Sequence, residues 1–157
     1  MTDMVNNDSV HAFIISLQEQ NLVLPQSAVV EVVTQQVVRE VAGAPSWLRG
    51  VFEWRQSQVP IVSLDTLLGV PRERQTRINR FVVMHGVERL PGLDYYALQV
   101  RGIPHPVKLT PADIQSLPRR EDDPTAVAAR VRASGVLCMI PAFEGIEHML
   151  QDVLQVL

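Results

Sequence analysis

Few residues in this chain stand where they could do chemistry. In "EGIEHM", Glu144 and His148 are four apart, which sets a carboxylate and an imidazole on one face of any helix. Such a pair can hold part of a zinc site or attract electrostatically. No third ligand stands beside it, so no metal centre is expected. His11, His85 and His105 are scattered, and His105 in "GIPHP" reads as an imidazole on a rigid loop. Cys138 is the single cysteine, which excludes an intramolecular disulfide; in "GVLCMIP" it reads as a small buried hydrophobe. "EDDP" reads as an acidic solvated turn, and Arg72, Arg74 and Arg77 in "VPRERQTR" as a polar connector. More pointed is "WLRGVFEWRQSQVPIVSL" at 47–64, where Arg55 stands between Trp54 and Gln56 ahead of an apolar run. Its planar fork suits the rim of an interface, where it can hold a carboxylate or carbonyls bidentately. Trp47 and Trp54 draw attention because interface energy concentrates in Trp, Tyr and Arg.

Nothing here assembles a catalyst. The eight glycines are dispersed, with no GxGxxG or GxxxxGK[ST] run to cradle a phosphate, and neither GxSxG nor HExxH occurs. No nucleophile, oriented base and oxyanion site suggest themselves, so no enzyme and no cofactor is expected. A formal net charge of -3 speaks against a general nucleic-acid binder. A nucleic-acid-binding small barrel would need a continuous basic and aromatic face, and the arginines at 72, 74 and 77 are not interleaved with aromatics.

The elements that must position these residues are short. Residues 1–10 read as a disordered lead, with no basic region feeding an apolar core, and no run approaches the roughly 20 apolar residues of a membrane span. A cytoplasmic protein without direct membrane insertion is the expectation. "HAFIISL" and "LVLP" read as strands, followed by a turn at 25–28, a strand near 29–34 and another near 36–41. "AGAPSW" is a loop; "LRGVFEW" and "VPIVSL" are paired strands; "DTLLG" is one helical turn, capped by Asp65 and ended by Gly69. "NRFVVMHG" and "YYALQVRG" form a hairpin, and Thr110–Pro111 with Asp113 marks a helix start. "TAVAARVRASG" alternates as a strand does, though its alanines leave helix open. "GVLCMIPA" is the last strand, and Ile146, Met149, Leu150, Val153, Leu154 and Leu157 recur at helical spacing. Many short strands plus one C-terminal helix point to an all-β fold of small barrels. A chain of 157 residues buries a sufficient core without a metal or disulfide.

The stretch "GAPSWLRGVFEWRQSQVPIVSLDTLLG" resembles the signature of the CheW-like family, scaffolds that couple chemoreceptors to a histidine kinase. Pro45 through Gly50 match a "P-x-[FW]-[LIV]-x-G" segment with Trp47 as the aromatic, and Arg55 falls on the family arginine. Val59, Pro60, Ile61 and Val62 match the following strand, with Ser63 in place of an acidic residue. Val29 and Glu31 match "V-x-E-[LIV]", and likeness extends over roughly residues 11–152.

The resemblance implies two five-stranded SH3-like barrel subdomains sharing an apolar core, with a short C-terminal helix. They form a single domain over 11–157, with subdomains near 11–78 and 79–152. It implies a non-catalytic adaptor whose partners are the regulatory domain of a CheA-type histidine kinase and the cytoplasmic tip of a chemoreceptor, at membrane-associated arrays. Arg55, Gly50, Glu31, Val29, Trp54 and Trp47 are the partner-binding residues it suggests. Gln56 stands where the family has glycine, Glu53 where it has asparagine, and "VRGIPHPVKL" replaces the usual "V-D-x-V". These departures suit a divergent accessory adaptor, in a system controlling type IV pili or twitching motility. A receptor-only competitor of a main coupling protein is the alternative.

Overall fold

The computed structural model describes residues 8–75 and 80–157; Arg77, Asn79 and most of the N-terminal lead lie outside the described residues. The first two apolar runs form β1 (Val10–Ser16) and β2 (Asn21–Pro25), an antiparallel pair with Phe13 opposite Leu24 and Ile15 opposite Leu22. A 3-10 turn over Gln26–Ala28 leads into β3 (Val29–Thr34). Then come β4 (Leu48–Trp54), β5 (Ser57–Val62) and a one-turn helix α1 (Leu64–Leu67). β6 (Arg80–His85), β7 (Tyr95–Gln99), β8 (His105–Leu109), β9 (Ile114–Leu117), β10 (Val127–Ala133) and β11 (Val136–Pro141) precede the closing helix α2 (Phe143–Val156).

Two sheets result, one six-stranded in the order β8-β1-β2-β11-β10-β9 and one five-stranded in the order β3-β6-β7-β5-β4. Two five-stranded units were expected, so the strand count is corrected to six and five. The division near residue 78 is corrected too: β1 and β2 pair with strands from the C-terminal third, while the other sheet runs from β3 to β7. The crossover is a parallel contact of β2 with β11 at Leu22 and Met139. Connections of this range leave no mark in local sequence.

Three apolar clusters explain the arrangement. Each sheet encloses its own, with Phe52, Val59, Ile61, Phe81 and Val83 inside the five-stranded one and Ala12, Val23, Val131 and Cys138 inside the six-stranded one. Between them lies a shared core of Ile15, Leu22, Leu24, Val62, Val82, Met84, Tyr96 and Leu98, onto which α2 lays Ile146 and Leu150. Each such fully buried side chain contributes about 1.5–3 kcal/mol before conformational entropy is set against it. β5 and β7, central and wetted on neither face, therefore read as near-continuous apolar runs.

Several local expectations are corrected. No strand forms over 36–41: Gln35 takes a φ of 56, which turns the chain out of the sheet, and only Arg39 pairs again, with Val51 of β4. The cap of α1 is Ser63, whose hydroxyl accepts the Thr66 N–H at 3.2 Å, whereas Asp65 accepts the Gln18 N–H at 3.0 Å. Thr110–Asp113 does form a reciprocal cap, with the Thr110 N–H on the Asp113 carboxylate at 2.8 Å, but the 3-10 turn it starts gives way to β9. His105 stands in β8 opposite Ile14, not in a loop; Pro106 is tolerated there because β8 is an edge strand.

Candidate partner-binding site

β4 and β5 are joined by only two residues, Arg55 and Gln56, with Trp54 opposite Ser57. Their φ angles are 48 and 65, the two-positive pattern of a type I′ turn, whose twist matches that of the flanking strands. Neither residue is glycine, so the backbone carries left-handed strain of order 1 kcal/mol at each. The turn folds Arg55 back over its neighbour: its guanidinium carbon stands 4.5 Å from the centroid of the Trp54 ring. Arg55 Nη2 donates to Glu31 Oε1 at 3.1 Å, and the Trp54 Nε1–H donates to the same oxygen at 3.1 Å.

Glu31 reaches this point because the sheet curls. It sits on β3 and Trp54 on β4, the two ends of the five-strand order, yet their side chains touch. A bulge between Val29 and Glu31 sets the glutamate's aim, and the Arg39–Val51 bridge ties the segment after β3 to β4. Trp54 is 7% exposed and packs edge-on to Tyr95 at 5.0 Å, with His85 tilted against Tyr95 at 5.9 Å. The tryptophan is thus both core and support for the arginine.

The Arg55 and Glu31 side chains are 66% and 41% exposed, so their ion pair adds less than about 1 kcal/mol to stability. What it does is hold the guanidinium over the indole while most of the arginine side chain stays exposed, with N–H groups left for a partner. Beside it opens a cleft lined by Gln35, Gln36, Val37, Glu53, Arg55 and Gln56, with Val37 90% exposed. A cationic fork, amide groups and an exposed aliphatic side chain form a rim suited to a protein surface.

Three of the six residues singled out in the sequence meet here: Glu31, Trp54 and Arg55. The other three do not. Val29 is half-buried against the shared core, and Trp47 packs on the same core from the loop before β4. Gly50 is buried, and a Cβ there would fall 2.6 Å from the Arg39 carbonyl oxygen and 2.8 Å from Val38 Cγ1. Tyr95, His85 and Val37 were not singled out; only the curl of the sheet reveals them, although two aromatics flanking the β6–β7 hairpin are visible in "MHG" and "YYAL".

The other chemical candidates resolve differently. His148 Nε2 lies 3.4 Å from Glu88 Oε1, its partner across the fold, not from Glu144 on its own helix. Among the described residues no three His, Cys, Asp or Glu side chains group as metal ligands. Burial pushes the Cys138 thiol up to about 11, away from the thiolate that reacts. Asp123 of the acidic turn is not solvated: its side chain is 2% exposed and takes both Arg130 Nε contacts, at 3.0 and 2.9 Å. Glu147, fully buried, accepts the Val87 and Glu88 N–H groups at 3.0 and 2.9 Å and so pins α2 to the β6–β7 loop.

Residues 11–150 match the CheW-like domain family. A solved structure with a similar fold is that of the scaffolding protein TtCheW from Thermoanaerobacter tengcongensis. It is 18% identical, with 85% of this chain and 89% of that one covered at a TM-score of 0.70. No curated protein matches by sequence. Two sheet subdomains with a C-terminal helix agree with that double-barrel architecture. The chain belongs to the CheW-like family, whose domains are non-catalytic adaptors.

Proposed function

We propose that the chain couples a chemoreceptor to a CheA-type histidine kinase, holding the kinase's regulatory domain on one face and the receptor's cytoplasmic tip on another. It would work at the cytoplasmic side of receptor arrays. The observation that carries this reading is the family match over residues 11–150. The Glu31 carboxylate bracing both Trp54 and Arg55 supports placing the receptor-side surface at the β4–β5 turn. Val29 contributes by packing on the shared core beside the bulge that aims Glu31, Gly50 by letting the 38–39 segment close on β4, and Trp47 by packing the loop before β4 on that core. These three shape the surface from beneath.

Glu53 and Gln56, both exposed on the rim where the family has asparagine and glycine, alter its charge and turn chemistry. They support a divergent adaptor in a system that controls type IV pili or surface motility. The added carboxylate of Glu53 also favours a second reading, in which the chain binds receptors and competes with a main coupling protein. Titration calorimetry of the chain against the kinase regulatory domain and the receptor tip from the same genome separates the two. Binding of both at micromolar affinity or tighter is expected. Receptor binding alone would move the assignment to the competitor, and binding of neither would overturn both readings.

A further inference from the structure

The other end of β4 holds a second cationic feature. Register passes from Leu48 opposite Val62 directly to Gly50 opposite Ile61, so Arg49 is the extra residue of a bulge, the device that re-aims a side chain out of a sheet's regular alternation. The bulge directs Arg49 into a cleft of about 140 Å³ that it shares with Arg72, from the 3-10 turn Arg72–Arg74, and with the apolar surfaces of Ala44, Pro45 and Leu48.

Arg49 is half-buried there and Arg72 exposed, and among the described residues neither guanidinium makes a hydrogen bond or an ion pair. A partly desolvated guanidinium without an acceptor costs free energy, and a second one facing it costs more. Both effects disfavour the Arg49 charge: burial first, then repulsion from Arg72. Glu40, on the cleft wall, and Asp65 attract it from beyond ion-pair distance, and Asp65 is already engaged by the Gln18 N–H at 3.0 Å. Two guanidinium groups without a protein acceptor lining one small space, one half-buried and one exposed, suit an anion between them.

We infer that this cleft receives the side-chain carboxylate of an aspartate or glutamate on a protein partner, gripped by Arg49 and Arg72. Its size decides against a small-molecule cofactor, whose pockets run to about 300 Å³ and more. Val41, Ala44 and Pro45 add apolar contact for the aliphatic stem of such a side chain, which inorganic phosphate lacks, and this favours a carboxylate on a stem. Arg49 and Arg55 are six residues apart on one strand, about 20 Å by strand rise, so the cleft is a contact separate from the turn. The naming of partners rests on the adaptor reading, whereas the carboxylate chemistry does not.

The test uses two probes. In amide-resolved NMR of the full chain, sodium propionate should shift the signals of residues 44, 46–49 and 72 in the wild type and not in Arg49→Gln/Arg72→Gln. Inorganic phosphate at equal concentration should shift them less. In calorimetry, whichever of the kinase domain and receptor tip uses this cleft should bind the double variant about tenfold more weakly or worse. Arg49→Lys, which keeps the charge and loses the fork, should give an intermediate loss and guards against misfolding of the double variant. Unchanged affinity for both partners in a folded double variant would overturn the inference, as would phosphate outcompeting propionate. If the wild type binds neither partner, the adaptor reading falls and the propionate titration alone decides the cleft.

Discussion

Replacing Gly50 by alanine tests the closure of the five-stranded sheet at its tightest point. A Cβ at this position meets the Arg39 carbonyl oxygen at 2.6 Å, and that oxygen accepts the Val51 N–H at 2.9 Å while the Arg39 N–H donates to Val51 O at 2.8 Å. Backbone cannot yield as a side-chain tip does, so the 38–39 segment must lift from β4 and both hydrogen bonds lengthen or break. Each contributes about 1 kcal/mol. The φ of +145 at this position adds strain of about 1–3 kcal/mol for any residue with a Cβ. Gly50→Ala should therefore destabilise by about 3–5 kcal/mol, a large part of the 5–15 kcal/mol typical of a domain.

Urea unfolding followed by tryptophan fluorescence measures this directly, since Trp54 is 7% exposed when folded. A drop in melting temperature of about 10 °C or more accompanies it for a chain of this size. Hydrogen exchange at the Val51 amide should accelerate with the global transition. A loss below about 1 kcal/mol would refute the close approach and return Gly50 to the role of partner contact. If the account holds, any binding defect of the variant follows its unfolded fraction and disappears where the protein is folded.

Other perturbations probe the remaining joints. Glu147→Ala removes two hydrogen bonds to a buried carboxylate, from the Val87 and Glu88 N–H groups, and should cost about 2–4 kcal/mol in denaturant unfolding, with Glu147→Gln costing less. Hydrogen bonding from Arg130 holds Asp123 down to about 2 from an ordinary 3.8. A folded-state value below the unfolded one contributes stability that is full above pH 3.8 and lost as pH falls toward 2; urea midpoints across that window should fall in the wild type and flatten in Asp123→Asn. Gln56→Gly relieves the left-handed turn residue and should raise stability by about 0.5–1 kcal/mol, read as a higher urea midpoint with an unchanged slope.

Sequence made the local elements legible wherever period and punctuation agreed. Apolar residues at helical spacing from Ile146 to Leu154 formed α2, and "LRGVFEW" and "VPIVSL" paired as strands. It misled where polar chemistry offered two outcomes. Thr110–Pro111 with Asp113 is a sound helix start, yet Ile114 onward pairs with β10, so tertiary pairing overrode the local signal. Ser63 took the capping role given to Asp65 because it stands one residue before the helix, while Asp65 lies inside its first turn. The interleaving of β1 and β2 with β10 and β11 is long-range pairing that no local pattern encodes.

The site divides along the same line. Arg55 and Trp54 lie side by side in the chain and were legible as a pair; Glu31 was legible as a position but not as their acceptor, because β3 and β4 meet only once the sheet curls. Gly50 carried a correct physical hint, since a glycine inside an apolar strand marks a close backbone approach or a bulge. Both occur there.

The central claim is coupling, and it is tested most directly by sedimenting the kinase with receptor-bearing vesicles, with and without this chain. The account predicts that the kinase pellets only when the chain is present, and that Arg55→Glu, with an unchanged urea midpoint, abolishes the effect. Kinase that pellets equally without the chain, or stays in solution while the chain itself binds the vesicles, would contradict it.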